Sequence, residues 1–397
     1  MDFWELFRQD EIHKRPEYRA CLDTIKDDDV INRQVDTLIG THHLGKFRLD
    51  EQNLINTIAM GLLEGSPPTG FNNALFEKRY KQLEKYLYSN KLVNIRLTPL
   101  YGVKSFAQIP IQFDDQVSIV KLTDDEIAMI LNSNLAPKRL VMPDVEHRHF
   151  LPQYAIKILY ETEKLVGELP PGTQEEAAKK DKYLSGDYEQ RILDCLRLLK
   201  TGTVLSSGTV SYCKLITGTI FSIEKMEYSH FFSTTSLSTR EVTELVNLWK
   251  RTGKLRKDLH IALRRFGDAI ARKKPDDKMI DLMIAAEALF LPESDELTYK
   301  LSMRTAYMLE RSKQKRREVY SLMKDAYKIR SRIIHGATPV LPFKDRTSGQ
   351  RYNMQGFTVQ VEELLRRALK KALHASVDSG WPKKGPDWDS LFFGSGG

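Results

Sequence analysis

The ten residues Tyr327-Lys328-Ile329-Arg330-Ser331-Arg332-Ile333-Ile334-His335-Gly336 gather an imidazole, a hydroxyl, two guanidinium groups and an ammonium in under three helical turns. At about 100° per residue, Val319, Leu322, Ala326, Ile329 and Ile333 fall on one apolar stripe. Lys324, Lys328, Ser331 and His335 fall on a stripe almost opposite. Such a helix packs by one face and offers the other. Gly336 directly after His335 reads as a helix stop, so His335 meets the negative end of the helix dipole. Histidine takes and gives protons near neutral pH, and arginine supplies fixed charge and paired donors to a phosphate gathering negative charge. Together they suit cleavage of RNA by its own 2′-hydroxyl, with no metal or other cofactor required. Beside them, Arg332, Lys324 and Lys328 form a phosphate track, continued upstream by Lys313, Lys315, Arg316 and Arg317.

Spacing alone is weak. Arg8/His13 and Arg367/His374 share the Arg-then-His arrangement. The first pair reads as polar residues near a terminus, and the second as part of a basic helix that is solvated or contacts RNA. Glu287 interrupts the apolar run Leu282 to Leu291, where an unpaired carboxylate is costly, so Arg304 or Arg330 is its expected partner. Leu282, Ala285, Ala286 and Leu289 read as core. Glu146, His147 and His149, and the pair His42-His43, lack further ligands and read as loop surface, so no metal site is expected.

The elements that hold these residues belong to a chain of 397 residues, enough for two or three domains. Hydrophobic residues make up 41% and charged residues 29%, which excludes wholesale disorder. Residues 251–397 hold 30 basic and 18 acidic side chains, a balance of +12, whereas residues 1–250 balance at −4. The asymmetry points to a C-terminal third that faces a polyanion, nucleic acid or an anionic membrane, with a merely solvated basic face as the alternative. Cys21, Cys195 and Cys213 are too scattered for a disulfide framework or a thiolate zinc site. No basic-then-apolar leader opens the chain and no apolar run can span a bilayer, so a soluble, cytoplasmic protein is expected.

Residues 1–92 read as helical, with Leu75, Tyr80, Leu83 and Leu87 at helical spacing over 73–88. Residues 93–237 read as a mixed α/β domain. Strands are expected at 93–97, 116–120, 203–216 and 218–223, with helices starting after Thr123 and spanning 188–200. Residues 238–380 read as an all-α bundle with helices over 238–251, 256–272, 277–291, 296–310, 312–335 and 357–376, and 381–397 as a tail. The fold class is α+β.

Order and spacing add more than any single motif. Leu263-Arg264-Arg265-Phe266 followed by Asp281 to Phe290, then Glu296 to Ala306, then Tyr327 to Gly336 resemble the HEPN superfamily, specifically its Apea-like branch. Upstream, Leu196-Arg197-Leu198-Leu199-Lys200-Thr201-Gly202 resembles a segment those proteins carry before the bundle. The likeness covers about 238–376, thins over 93–237 and is absent over 1–92. It implies a helical bundle that dimerises around a shared cleft. It also implies metal-independent endoribonuclease activity that leaves a 2′,3′-cyclic phosphate, in antiviral (anti-phage) defence or a toxin system. On this chain Arg330 becomes the phosphate-stabilising arginine, Ser331 its polar neighbour and His335 the general acid or base. The substrate is RNA, with tRNA among the candidates, and residues 1–237 sense a trigger or restrain the nuclease. Helical geometry leaves one alternative open: Arg330 lies about 140° from His335 and Arg332 only about 60°. Two rival readings are a non-catalytic RNA- or nucleotide-binding scaffold or antitoxin, and a membrane-surface module built on Val361, Leu364, Leu365, Ala368 and Leu369.

Overall fold

The computed structural model describes residues 16–35, 37–41, 45–48, 73–133, 151–167, 188–202, 204–215, 218–225, 235–253, 255, 257–291, 296–336, 343–344, 349, 351–378, 388 and 392. Both helices and strands are present, so the chain is an α+β protein. It divides into two compact units, each discontinuous in sequence: 1–97, 157–186 and 209–224 form one, and 98–156, 187–208 and 225–397 the other.

The first unit contains helices α1 (Pro16–Asp27), α2 (Asp29–Asn32) and α3 (Asn73–Tyr88) with strands β1 (Leu38–Thr41) and β2 (Gly45–Arg48). Strands β1 and β2 pair antiparallel, Leu38 opposite Arg48. A wholly helical 1–92 is therefore corrected: a hairpin lies inside it. Its signal is weak because Gly40 and Gly45 break any alternation of apolar residues. Strand β3 (Lys91–Leu100) follows α3 and begins in this unit. Lys164 donates to the carbonyls of Tyr86 and Leu87 at 2.9 and 3.1 Å, closing the end of α3. Burial there pushes its ammonium down to about 8.

The second unit opens with β4 (Val103–Phe106), β5 (Ile111–Gln112), β6 (Val117–Lys121) and α4 (Asp124–Asn132). Thr123 caps α4 and Glu126 returns the bond, the acidic first turn complementing the dipole. Strands β5 and β6 pair antiparallel, Ile111 opposite Ile119. The chain then passes through β7 (Tyr154–Glu163), which has residues in both units, as β3 does. Strand β8 (Leu165–Val166) returns to the first unit, pairing with β1. Helix α5 (Tyr188–Leu199) belongs to the second unit, while β9 (Gly208–Leu215) and β10 (Gly218–Lys225) lie almost wholly in the first, where β9 pairs antiparallel with β3.

Strand β11 (Thr235–Leu237) runs parallel to β4, and the capping box Ser238/Glu241 then starts α6 (Thr239–Thr252). After it come α7 (Lys257–Ala271), α8 (Pro275–Phe290), α9 (Leu297–Leu309), α10 (Lys313–Ile334), the short pair β12 (Phe343–Lys344) and β13 (Arg351–Tyr352), and α11 (Met354–Asp378). Helix α8 packs against α7, α10 and α11, and α9 against α10. Phe266, Phe290 and Phe357 are buried at their junctions, each contributing roughly 1.5–3 kcal/mol of apolar transfer. Leu282, Ala285, Ala286 and Leu289 are buried, as core residues.

Ionic groups cross this apolar interior. Asp194 and Arg197 of α5 lie 3.6 Å apart, both buried. A Cβ at Gly267 of α7 would stand only 2.2 Å from the Asp194 carboxylate, so the absence of a side chain there lets the two helices meet. Burial pushes the Asp194 carboxyl up to about 7, opposed chiefly by the Arg197 charge. Burial likewise lowers Arg197, so desolvation outweighs the mutual attraction for both partners. From α11, Arg366 bonds Glu362 at 2.5 Å, and Glu362 in turn meets Lys278 of α8 at 2.5 Å. Arg366 also reaches the Arg197 carbonyl at 3.5 Å, and Lys370 the Leu199 carbonyl at 2.7 Å. Two of the last carbonyls of α5 are thus satisfied by α11.

Candidate active site

Helix α10 starts at Ser312, whose hydroxyl accepts from the Lys315 amide at 3.3 Å. Its apolar stripe turns inward: Val319, Met323, Ala326 and Ile329 are buried, while Leu322 and Ile333 are half-buried. The opposite stripe is the accessible one. Lys328, Arg332 and His335 are exposed, and Lys324 and Ser331 half-buried. Tyr320 lies on the same arc, with the Lys324 ammonium 5.7 Å over its ring and the Tyr299 ring of α9 edge-on at 6.4 Å. The periodicity that found the stripe could have found this tyrosine too.

His335 closes the helix. Its amide donates to the Ser331 carbonyl at 3.1 Å, that of Gly336 to the Ile333 carbonyl at 3.1 Å, and Gly336 takes φ +73°. The left-handed turn belongs to a residue without Cβ, which is why the helix stops here and leaves the imidazole at the rim.

Arg330 points elsewhere. Its Nη2 lies 3.6 Å from Glu287 Oε2 on α8, and its guanidinium 5.9 Å from the Tyr327 ring. Both charged side chains of the pair are 24% exposed. Burial raises the Glu287 carboxyl and the Arg330 charge opposes the rise. Arg330 Nε is buried with no hydrogen-bond partner among the described residues. Of the two expected partners for Glu287, the structure thus selects Arg330. Arg304 instead donates to the Phe290 carbonyl at 2.7 Å. All six sequence-derived site residues share one helix, but on two arcs: Ser331, His335, Lys324 and Lys328 on one, Arg330 on that facing α8, and Arg332 flanking the first. Around the helix axis Arg332, Lys328 and Lys324 lie closer in angle to His335 than Arg330 does.

The remaining candidates separate cleanly. Arg367 pairs with Glu310 at 2.7 Å, and the His374 carbonyl accepts from Arg251 at 3.4 Å. Arg316 leaves the basic run to bond the Glu310 carbonyl at 2.9 Å, while Lys313, Lys315 and Arg317 are exposed. Val361, Leu365, Ala368 and Leu369 are buried in the unit, so the apolar face of α11 is consumed by packing. That corrects the membrane-surface reading. Arg8/His13, His42-His43 and Glu146/His147/His149 lie outside the described residues. Among the described residues no cluster of three or more His, Cys, Asp or Glu is placed to hold a metal ion, and no helix is long and apolar enough to cross a membrane. Nothing in the sequence pattern marks the buried Asp194 and Gly267, and Arg197 stands out only within the Leu196–Gly202 segment, because periodicity marks faces and is silent about polar partners.

No protein-family model, curated protein or solved structure matches the chain.

Proposed function

We propose that the C-terminal helices form a HEPN-like, metal-independent endoribonuclease that works as a cytoplasmic homodimer, in antiviral defence or a toxin system. The observation that carries this reading is the end of α10, where an exposed His335 closes the helix on an arc shared with Ser331, Lys324 and Lys328 and flanked by Arg332. In the proposed reaction a 2′-hydroxyl loses its proton to a base and attacks the adjacent phosphorus. The 5′-oxygen leaves with a proton from an acid, giving a 2′,3′-cyclic phosphate and a 5′-hydroxyl. His335 serves as one of these proton carriers, and the imidazole of a second copy supplies the other. Ser331 donates a hydrogen bond to the phosphate. Lys324 and Lys328 hold flanking phosphates, and Arg332 meets the charge that develops on the phosphoryl oxygens. Arg330 joins once a phosphate displaces Glu287, a carboxylate that burial already disfavours in its charged form.

A second reading follows from one observation. Arg330 is occupied by Glu287 and faces away from His335, which also suits a scaffold or antitoxin that binds RNA without cutting it. The test is cleavage of total RNA in the presence of a chelator, with cut ends mapped, by the native chain and by His335→Ala. Loss of cleavage of at least about 100-fold in the variant is expected, with fold retained. Equal cleavage by the variant refutes the site, and RNA retention without product by the native chain selects the scaffold.

A further inference from the structure

Tyr299, in the first turn of α9, is 54% exposed, more than any other tyrosine, phenylalanine or tryptophan among the described residues. A single exposed ring is ordinary on a protein surface. This one stands against a second: the half-buried Tyr320 ring of α10 lies 6.4 Å away, with the two planes at 73°. The crossed pair is favourable in itself, and the exposure of Tyr299 leaves ring surface open to a flat ligand. A planar group laid parallel on Tyr299 would meet Tyr320 close to edge-on, the other geometry that aromatic groups prefer. The Lys324 ammonium lies 5.7 Å over the Tyr320 ring, so a cation stands beside the pair.

From this corner a line of side chains runs to the end of α10. Tyr320 precedes His335 by 15 residues, about 22 Å at ~1.5 Å per residue, and lies about 60° from it around the axis. Between them Lys324, Tyr327, Lys328 and Ser331 all fall within about 80° of His335, so rings and ammonium groups alternate along one side of the helix. Helix α10 carries eight basic residues and two acidic ones, and Asp325 is buried, which leaves Glu318 as the exposed acid. That balance suits any polyanion. Cations interleaved with open rings suit one kind, a single-stranded nucleic acid whose bases are free to leave their own stack. An acidic peptide matches the charge without the flat faces, and a duplex keeps its base faces to itself.

We infer that Tyr299 and Tyr320 form a base-stacking subsite, and that the strand it holds is unpaired RNA running from this corner past Lys324 and Lys328 to His335. A base several nucleotides from the reacting phosphate lies on Tyr299, and the Lys324 ammonium takes a phosphate beside it. The inference deepens the RNA reading of α10 and rests on it, adding that the substrate is single-stranded over that span. Because every base has a face, the subsite selects unpaired strand rather than sequence.

The test reads binding apart from chemistry. A labelled 2′-O-methyl oligonucleotide of about 12 nucleotides lacks the attacking hydroxyl, and its fluorescence anisotropy reports affinity for the full chain. Tyr299→Ala should weaken single-strand binding at least about fivefold, with far-ultraviolet circular dichroism and the salt slope unchanged, because a ring releases no counterions. Tyr299→Trp, which keeps a flat face, should bind within about twofold of the native chain or more tightly. The same strand annealed to its complement, and an abasic strand of equal length and charge, should bind the native chain and Tyr299→Ala alike. The inference is overturned if Tyr299→Ala binds the single strand as the native chain does, or if Tyr299→Trp loses as much as Tyr299→Ala. It is also overturned if the duplex loses as much as the single strand, or if Tyr299→Ala unfolds, because the ring is then core. Equal binding of the abasic and the normal strand by the native chain would mark a surface that reads charge alone, and no binding of any strand would remove the subsite altogether. Cleavage of total RNA is read separately. Cleavage by a chain whose binding ignores Tyr299 sinks the subsite and leaves the nuclease standing; Tyr299-dependent binding without cleavage does the reverse.

Discussion

Gly267→Ala is the sharpest test of how the second unit is held together. Glycine in a helix interior is ordinarily a defect, and alanine there gains about 1 kcal/mol. Here the new methyl would stand 2.2 Å from Asp194 Oδ1, 3.0 Å from its Cγ and 3.4 Å from Arg197 Nη1. The carboxylate is not the loose end of a flexible chain. It is buried, accepts from Gln190 Nε2 at 2.8 Å and faces Arg197 at 3.6 Å. Relief requires moving either α5 or the ion pair by about 1 Å in a close-packed interior. Overpacking alone costs about 1–3 kcal/mol, and separating a buried pair about 3–5 kcal/mol. Set against the helical gain of about 1 kcal/mol, the net expectation is a loss of about 0–2 kcal/mol if α5 yields and about 2–4 kcal/mol if the pair separates, the latter a large share of the ~5–15 kcal/mol that holds a domain. Urea titration followed by circular dichroism measures it. The decisive arm is the same substitution in an Asp194→Ala background, which starts from a lower stability because Arg197 is left unpaired. With the carboxylate gone, Gly267→Ala should turn from destabilising to stabilising by about 1 kcal/mol. Equal effects in the two backgrounds, or a stabilised single variant, would refute the packing argument.

Three further outcomes follow from the same physics. Asp194 is raised in the folded chain to about 7 from an ordinary 3.8, so it contributes stability below about pH 4 that is lost as pH rises to about 7, by at most about 4 kcal/mol. Asp194→Asn should flatten that slope in urea midpoints measured across the window, and an unchanged slope counts against it. Glu241 is held down to about 2, chiefly by the Ser238 amide, so its support for α6 is present above the ordinary carboxylate range and lost as pH falls through about 2. Ser238→Ala should cost about 1 kcal/mol at neutral pH in the same assay, and a cost near zero would deny the cap its role. Glu287→Gln removes the charge competing for Arg330, so RNA affinity in filter binding should rise, with the salt slope steeper by about one phosphate contact. Unchanged affinity and slope would place Arg330 outside the RNA path.

The sequence was most informative where a residue's type fixes its backbone. Ser238 starts α6 and Gly336 ends α10 where capping rules put them. The stripe that turns Ala326 and Ile329 inward leaves Lys328 and His335 outside as periodicity requires. Lys274-Pro275 marks the break between α7 and α8, and Pro275 occupies the first turn of α8, where its missing amide costs nothing. What the sequence did not disclose depends on partners distant along the chain. The parallel pairing of β11 with β4 and the choice of Arg330 over Arg304 for Glu287 come from tertiary packing. Trp388 and Phe392 lie in a segment read as a tail, because a ring's neighbours cannot be read from a Gly- and Pro-rich stretch.

The bonds from α11 to the end of α5 also set a schedule. The Arg197 and Leu199 carbonyls wait for Arg366 and Lys370, 169 and 171 residues later in the chain. At about 5–20 residues per second of synthesis, that is an interval of roughly 10–30 s. During it those two carbonyls lack these partners, while α6 and α7, made soon after α5, cover the face of the helix itself. Water must serve those carbonyls until α11 emerges, so the C-terminal end of α5 is the part of that helix that closes last.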